Sequence, residues 1–455
     1  MTVLEAPIRT VQRLQPARVV GRVAALRGLV VLVEDLPLPV GSLVEVEDAG
    51  GGEGGMGEVV GFDERRSIVM MFGSATGVRP GARVVGRQAA ATGGGGEALL
   101  GRCIDALGRP IDGRGVIAGT SPREIDPPPL GALARRRISE PLHTGVRAID
   151  LLTTLGRGQR LGIFAGPGVG KSTLLGSIAR HAASDVNVVA LIGERGREVK
   201  DFIEESLGPE GLARSVVVVA TGDESPLMRV RAAMVACAVA EHFRDEGRQV
   251  LLMMDSVTRL AHAQRQIGLS VGEPPATRGY TPSVFSVMAR LLERAGAVEG
   301  RGGAAGGSIT GLYTVLVEGD DMTEPVADAA RGILDGHLIL SRKLAQRAHF
   351  PAIDVLDSVS RVADEVSDEA HIAARRQVVR LLALYRDVED LIQIGAYARG
   401  ANPEADVAIA YHPRLLELLQ QSPEEPEAFE SARSRMIKIA VEAGAALQAA
   451  GRGKR

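Results

Sequence analysis

The sequence predicts an α/β protein whose central sheet is mostly parallel, preceded by a small all-β domain and followed by a helical one. Three observations predict it. Residues 17–86 hold short β-rich runs punctuated by Gly, Pro and Asp. From residue 145 to about 362, apolar strand-like runs alternate with helical patterns, the sign of a parallel sheet. Beyond Arg361 the apolar residues recur at helical spacing.

Composition bounds the function. At 455 residues the chain is too long for one ordinary core. A net charge of −3, 3% aromatics and no Trp argue against a nucleic-acid partner, which needs a basic footprint or a stacking platform. Cys103 and Cys237 lack pairing or metal spacing and read as reduced thiols in apolar surroundings, in a cytosolic protein. No apolar run reaches the ~18 residues of a membrane span, and the N-terminus has no secretory apolar core, so any membrane role is expected to be peripheral.

In order along the chain, residues 1–16 form an arm with Val3, Leu4, Ile8, Val11 and Leu14 between Arg9 and Arg13, readable as a docking segment or as a frayed tail. Residues 17–92 form the all-β domain, a barrel or sandwich, with strands expected at 18–23, 29–33, 43–46, 58–62, 67–71 and 83–85. The glycine-rich stretches 48–57 and 92–97 read as mobile loops, the second as a linker. Residues 93–365 form the α/β domain, with core strands at 161–164, 186–191, 215–220, 249–254, 308–317 and 336–340. Residues 366–455 form the helical domain. There Val378, Leu381, Leu382, Tyr385, Val388 and Ile392 share a face, and Gly395 ends the helix. Ser422-Pro423-Glu424-Glu425 reads as a capping box opening a helix that runs to about Gln448, before a basic tail.

The chemistry centres on Leu161–Thr173. An apolar strand enters the turn Ala165-Gly166-Pro167-Gly168-Val169-Gly170-Lys171-Ser172-Thr173, and an apolar-periodic helix leaves it. That is the setting of a P-loop: the glycines let successive N–H groups face one phosphate chain, and the helix start adds partial positive charge. Lys171 is placed to reach the β- and γ-phosphates and Ser172 to ligate Mg²⁺. The pattern's first Gly is Ala165, which is tolerable if that position keeps a negative φ.

Three further clusters follow. Val250–Asp255 is an apolar run ending in a carboxylate, which in a P-loop sheet joins the Mg²⁺ shell. Ile192-Gly193-Glu194-Arg195 ends another apolar strand, and Glu194 is the candidate for polarising the attacking water, with Arg195 steadying the γ-phosphate or Glu194. The competing reading is a solvated loop with ion pairs. Asp357-Ser358-Val359-Ser360-Arg361 offers an arginine that either serves a neighbouring subunit's nucleotide or makes a surface ion pair.

Long stretches resemble the flagellar and type III secretion export ATPases: Gly193–Glu204, Asp255–Arg259, Ala263–Arg265, Ile267–Tyr280, Tyr313–Asp321, Asp335–Arg342 and Ser358–Arg361. The family is similar to the catalytic subunits of rotary ATP synthases. The resemblance implies a β-barrel, a RecA-like P-loop NTPase core and a helical C-terminal domain, assembled as a homohexameric ring. It implies ATP and Mg²⁺ as ligands, with Gly166–Thr173 on the phosphates, Glu194 polarising water, Arg195 beside the γ-phosphate, Asp255 in the Mg²⁺ shell with Arg259 nearby, and Arg361 acting in trans. It also implies Phe350 or Tyr397 against adenine. The implied partners are a regulator or stator, a central stalk, membrane proteins of the export gate, and secreted substrates with their chaperones, at the cytoplasmic face of the inner membrane. The phosphate loop looks like the flagellar branch; the injectisome branch is the alternative, and a rotary synthase subunit shares the same site. A non-catalytic ring subunit would lack Glu194, and an RNA-translocating ring would need a basic, aromatic N-terminal module that is missing.

Overall fold

The computed structural model describes residues 18–47, 54–88, 92–300, 306–317, 319 and 321–452. The expected arm, residues 1–16, lies outside them. Two compact units emerge: the described part of Met1–Thr92 with Glu224–Met228 and Ala263–Ser283, and Gly93–Asp223 with Arg229–His262 and Val284–Arg455.

In the first unit, β1 (Val20–Arg27), β2 (Val30–Glu34), β3 (Leu43–Val46), β4 (Gly55–Asp63), β5 (Arg66–Met71) and β6 (Arg83–Gln88) close an antiparallel barrel in the order β1-β2-β5-β4-β3-β6. Its core is valine-rich, with Val23, Val31, Val44, Val59, Val69 and Val84 buried together, as β-branched side chains pack well on a pleated surface. Of the expected loop 48–57, residues 48–53 lie outside the described residues and residues 55–57 instead open β4. Gly57 belongs in that strand because a Cβ there would meet the Met70 carbonyl at 2.7 Å.

The second unit contains the large sheet. It is built from β8 (Arg102–Asp105), β10 (Arg160–Ala165), β11 (Val186–Ile192), β12 (Ser215–Ala220), β13 (Gln249–Asp255), β14 (Ser308–Leu316), β15 (Gly336–Leu340) and β16 (Ile353–Ser360), in the order β16-β15-β10-β14-β13-β11-β12-β8. All neighbours are parallel except β16 on β15. Every residue of β11 and β12 is buried, as expected of central strands covered on both faces. The stretch 92–97 is not a mobile linker. Its Thr92–Gly95 (β7) pairs with Ser121–Glu124 (β9). Glycine is required there for contact, since a Cβ on Gly95 would lie 2.7 Å from the His242 ring.

Helices α1 (Arg147–Leu152), α2 (Lys171–His181), α3 (Gly196–Asp201) and α4 (Val257–Ser270) leave or approach the strand ends. The chain then closes with α5 (Glu369–Gln393), α6 (Pro403–Leu419) and α7 (Phe429–Arg452). In α5, Val378, Leu381, Leu382 and Val388 are buried as the periodicity requires. The helix stops before Gly395, whose φ of 72° turns the chain. The capping box is a correction. Ser422–Glu425 forms only a turn, and the helix begins at Phe429. Pro426 has no N–H to donate to the Ser422 carbonyl and disfavours helical φ/ψ at Glu425. The helix also runs to Arg452, into the expected tail. Among the described residues no helix is long and apolar enough to cross a membrane.

Candidate active site

Ala165 ends β10 fully buried and is not among the positive-φ residues, so alanine is tolerated where the P-loop pattern has glycine. Gly168 and Gly170 do need the left-handed region, at φ 75° and 88°. Pro167, just before Gly168, contributes no N–H and stands exposed. Gly170 is the N-cap of α2, with no side chain capping it, so the first-turn N–H groups of Lys171, Ser172 and Thr173 are left for an anion. Ser172 and Thr173 are exposed, and Val169 is tucked into the core.

The parallel sheet brings three charged residues to this loop. Lys171 Nζ donates to Asp255 at the end of β13 and lies 3.7 Å from Glu194 Oε1, just past β11. Both carboxylates are buried, Glu194 at 8% exposure and Asp255 at 4%. Burial is the main cause that pushes the Glu194 carboxyl up to about 7; the Asp255 charge adds to it, and Lys171 and Arg259 oppose it. A group so poised is a suitable general base near neutral pH. Its Oε1 makes no hydrogen bond within the protein but faces Arg259 Nε at 3.3 Å and Lys171 Nζ at 3.7 Å.

The arginine beside Glu194 is Arg259, not Arg195. From α4, Arg259 Nη1 donates to the Gly193 carbonyl at 2.7 Å, and Nη2 donates to Glu194 Oε2 at 3.4 Å. Gly193 lets it pass: a Cβ there would lie 2.9 Å from Arg259 Cδ. Arg195 instead precedes α3 with its side chain 81% exposed and paired to Glu198 at 3.0 Å. The local reason is that Arg195 begins a helical turn, where Glu198 is its neighbour at i,i+3.

Phe350 flanks the loop, its ring 3.7 Å from where a Gly170 Cβ would stand. With Arg147, Ala348, Gln420, Gln421, Ser422 and Glu425 it lines a cavity of about 290 Å³. Tyr397 is not brought there. Its hydroxyl donates to Asp406 Oδ1 at 3.0 Å, beside the Asn402 cap of α6. A larger cleft of about 740 Å³ touches the loop at Gly166 and runs along β15, β16 and α5, away from Lys171 and Glu194.

Arg361 lies at the opposite end of the sheet. Strand β15 follows β10 in parallel from Gly162↔His337 to Ala165↔Leu340, and β16 returns from Leu340↔Ile353 to Gly336↔Ser360. Arg361 is therefore level with the start of β10, its N–H donating to Asp335 O at 2.9 Å while the Asp335 N–H donates to Arg160 O at 2.8 Å. Five residue steps along β10 put roughly 16 Å between that level and the P-loop. Its side chain is exposed.

The residues fit a hydrated magnesium ion. The Ser172 hydroxyl and the Asp255 carboxylate are hard oxygen donors, and Glu194 Oε1 makes no hydrogen bond within the protein. Among the described residues no group of three His, Cys, Asp or Glu forms a metal cage. Mg²⁺ is commonly held by one or two protein oxygens together with substrate phosphates.

Comparison with known proteins agrees with this geometry. The ATP synthase alpha/beta family, nucleotide-binding domain, matches residues 145–360, and the T3SS EscN ATPase C-terminal domain matches residues 367–438. The flagellum-specific ATP synthase of Bacillus subtilis is 50% identical over 84% of this chain and 86% of its own. This chain belongs to the flagellar and type III secretion ATPase family. The type 3 secretion system ATPase of Xanthomonas euvesicatoria is 47% identical over 94% of this chain and 95% of its own. Assembled EscN of enteropathogenic E. coli, solved in complex with its central stalk EscO, is 41% identical, with a TM-score of 0.84 over 92% of this chain and all of that one. The barrel, the P-loop sheet and the C-terminal helices are thus the architecture of an ATP-hydrolysing family.

Proposed function

We propose that this protein hydrolyses ATP to energise export of proteins through a flagellar type III secretion apparatus, as a homohexameric ring at the cytoplasmic face of the export gate. The observation that carries the reading is the meeting of Lys171, Glu194 and Asp255 at the P-loop, in a chain half identical to a flagellum-specific relative. In this reading the barrel domain spans residues 17–92, the ATPase domain 93–365 and the helical domain 366–455.

The N–H groups of residues 166–173 cradle the phosphates, and Lys171 leaves Asp255 to neutralise the β- and γ-oxygens. Ser172 and Asp255 would hold the Mg²⁺ that comes with ATP, and the ion would supply charge neutralisation to the phosphates. Glu194 orients the attacking water and draws off its developing proton, with Arg259 fixing the carboxylate. Phe350 packs against the adenine. Arg361 reaches a neighbour's γ-phosphate, because its place at the far end of its own sheet leaves its own loop out of range. Residues 1–16 dock the regulator, a central stalk enters the ring as EscO meets EscN, and chaperoned substrates are delivered to the gate proteins at the inner membrane.

Complementation tests this. Expression in a flagellar strain lacking its export ATPase should restore motility, and the Lys171→Ala form should not. Restored secretion only in an injectisome strain would move the protein to the second branch, a reading favoured by its 47% identity to the Xanthomonas type 3 secretion ATPase.

A further inference from the structure

Thr314 sits in the middle of β14, in the run Gly311-Leu312-Tyr313-Thr314-Val315-Leu316. It is completely buried, between β10 (Ile163↔Thr314) and β13 (Met254↔Tyr313). A hydroxyl in such a strand is costly unless it is bonded. Its Oγ1 stands 2.7 Å from Asp255 Oδ1 and 3.2 Å from the Met254 carbonyl. A hydroxyl has one proton, and the shorter contact to the charged oxygen takes it. Asp255 Oδ1 thus receives two donors, Thr314 and Lys171. Among the described residues no protein donor reaches Oδ2.

The two donors differ in permanence. Lys171 carries its ammonium on a flexible stem and is drawn away when phosphate enters the loop. Thr314 is fixed in a central strand and stays beside Asp255. We propose that Thr314 is a positioning residue for Asp255: it pins Oδ1 so that Oδ2 stays turned toward the hydrated cation once the nucleotide has taken Lys171. The inference rests on reading Asp255 as the carboxylate of the cation shell, and it gives that carboxylate a holder on the neighbouring strand. Such outer partners fix the orientation of groups around a metal.

The test is the Mg²⁺ dependence of binding of a fluorescent ADP analogue to the full chain, alongside binding in EDTA and thermal melting. In Thr314→Val, which replaces the hydroxyl by a methyl of similar size, the half-saturating Mg²⁺ concentration should rise about tenfold, the lower end of what loss of an outer partner costs. Affinity in EDTA should stay within about twofold. Thr314→Ser, which keeps the donor, should return the Mg²⁺ dependence to that of the wild type. If Thr314→Val does not fold, Thr314→Ala takes its place in the same titration. An unchanged half-saturation in the folded variant, or a serine variant that behaves like valine, overturns the proposal. Asp255→Asn separates the layers. If it shifts the Mg²⁺ dependence and Thr314→Val does not, the positioning role alone falls. If Asp255→Asn shifts nothing, the shell reading falls and the positioning role with it.

Discussion

The two ends of β10 are opposites. At its C-terminal end a lysine, two buried carboxylates and a guanidinium crowd around a loop of free N–H groups. At its N-terminal end Arg361 is exposed, its backbone N–H donating to the Asp335 carbonyl. One end gathers the groups a phosphoanhydride needs, with Lys171 as its phosphate-facing cation and Arg259 engaged with Glu194. The other end has an exposed arginine and no phosphate-binding loop. Under the proposed function the difference makes each subunit half of two sites, the Arg361 end of one copy meeting the loop of another.

The largest effects should come from the members that cannot be replaced. Lys171→Ala should lose nucleotide binding and essentially all turnover while its melting profile stays cooperative, checked by phosphate release and nucleotide-dependent thermal shift. Arg361→Ala should bind ATP normally yet turn over about 10³-fold more slowly, the lower range for an arginine finger. Wild-type specific activity should rise with protein concentration as subunits associate. Mixing the two dead variants sharpens the contrast, because an Arg361→Ala subunit keeps its P-loop and a Lys171→Ala neighbour keeps its arginine. Activity should return in mixed rings. If rings form and none returns, Arg361 serves its own subunit or the fold.

Glu194 comes next. Glu194→Gln should keep ATP affinity and lose about 10²-fold in turnover, within the usual range for a general base. Binding lost in parallel would make the residue structural. Its pH dependence has a definite sign. Burial raises the carboxyl to about 7, so the base form is lost as pH falls through that value, and kcat/KM should drop about tenfold per unit below it. That limb should vanish in Glu194→Gln and remain in Arg361→Ala.

What the sequence made legible follows the range of the interactions. The P-loop, the alternation behind the parallel sheet and the apolar face of α5 are local patterns, and the fold reproduces them. Phe350 sits beside Gly170, and its packing against adenine belongs to the proposed function. Contacts between distant residues were not legible: that Arg259 grips Glu194 depends on a bare Gly193, and the Thr314 bond to Asp255 depends on strand register. In the sequence Thr314 is one of several hydroxyl residues in the strand 308–316, and nothing local singles it out. Helix α6 is signalled locally by Asn402-Pro403, an N-cap and a first-turn proline. Ser422–Glu425 misled because a capping signature needs N–H donors after it, and Pro426 withholds one.

The smallest effect should belong to Arg195, and it tests the contrast from the other side. Its guanidinium is 81% exposed, and its partner Glu198 is 44% exposed at 3.0 Å. Pairs of that kind contribute between nothing and about 1 kcal/mol. Arg195→Ala should therefore leave turnover within about twofold and the melting temperature nearly unchanged. Arg259→Ala should be far worse, because it strips a buried carboxylate of its nearest guanidinium and frees Glu194 to turn. Steady-state phosphate release on the two variants side by side decides between them. If Arg195→Ala instead falls tenfold or more while Arg259→Ala is mild, the arginine on the surface must swing inward when nucleotide binds, and the cluster around Glu194 would be completed by movement within the subunit as well as by its neighbour.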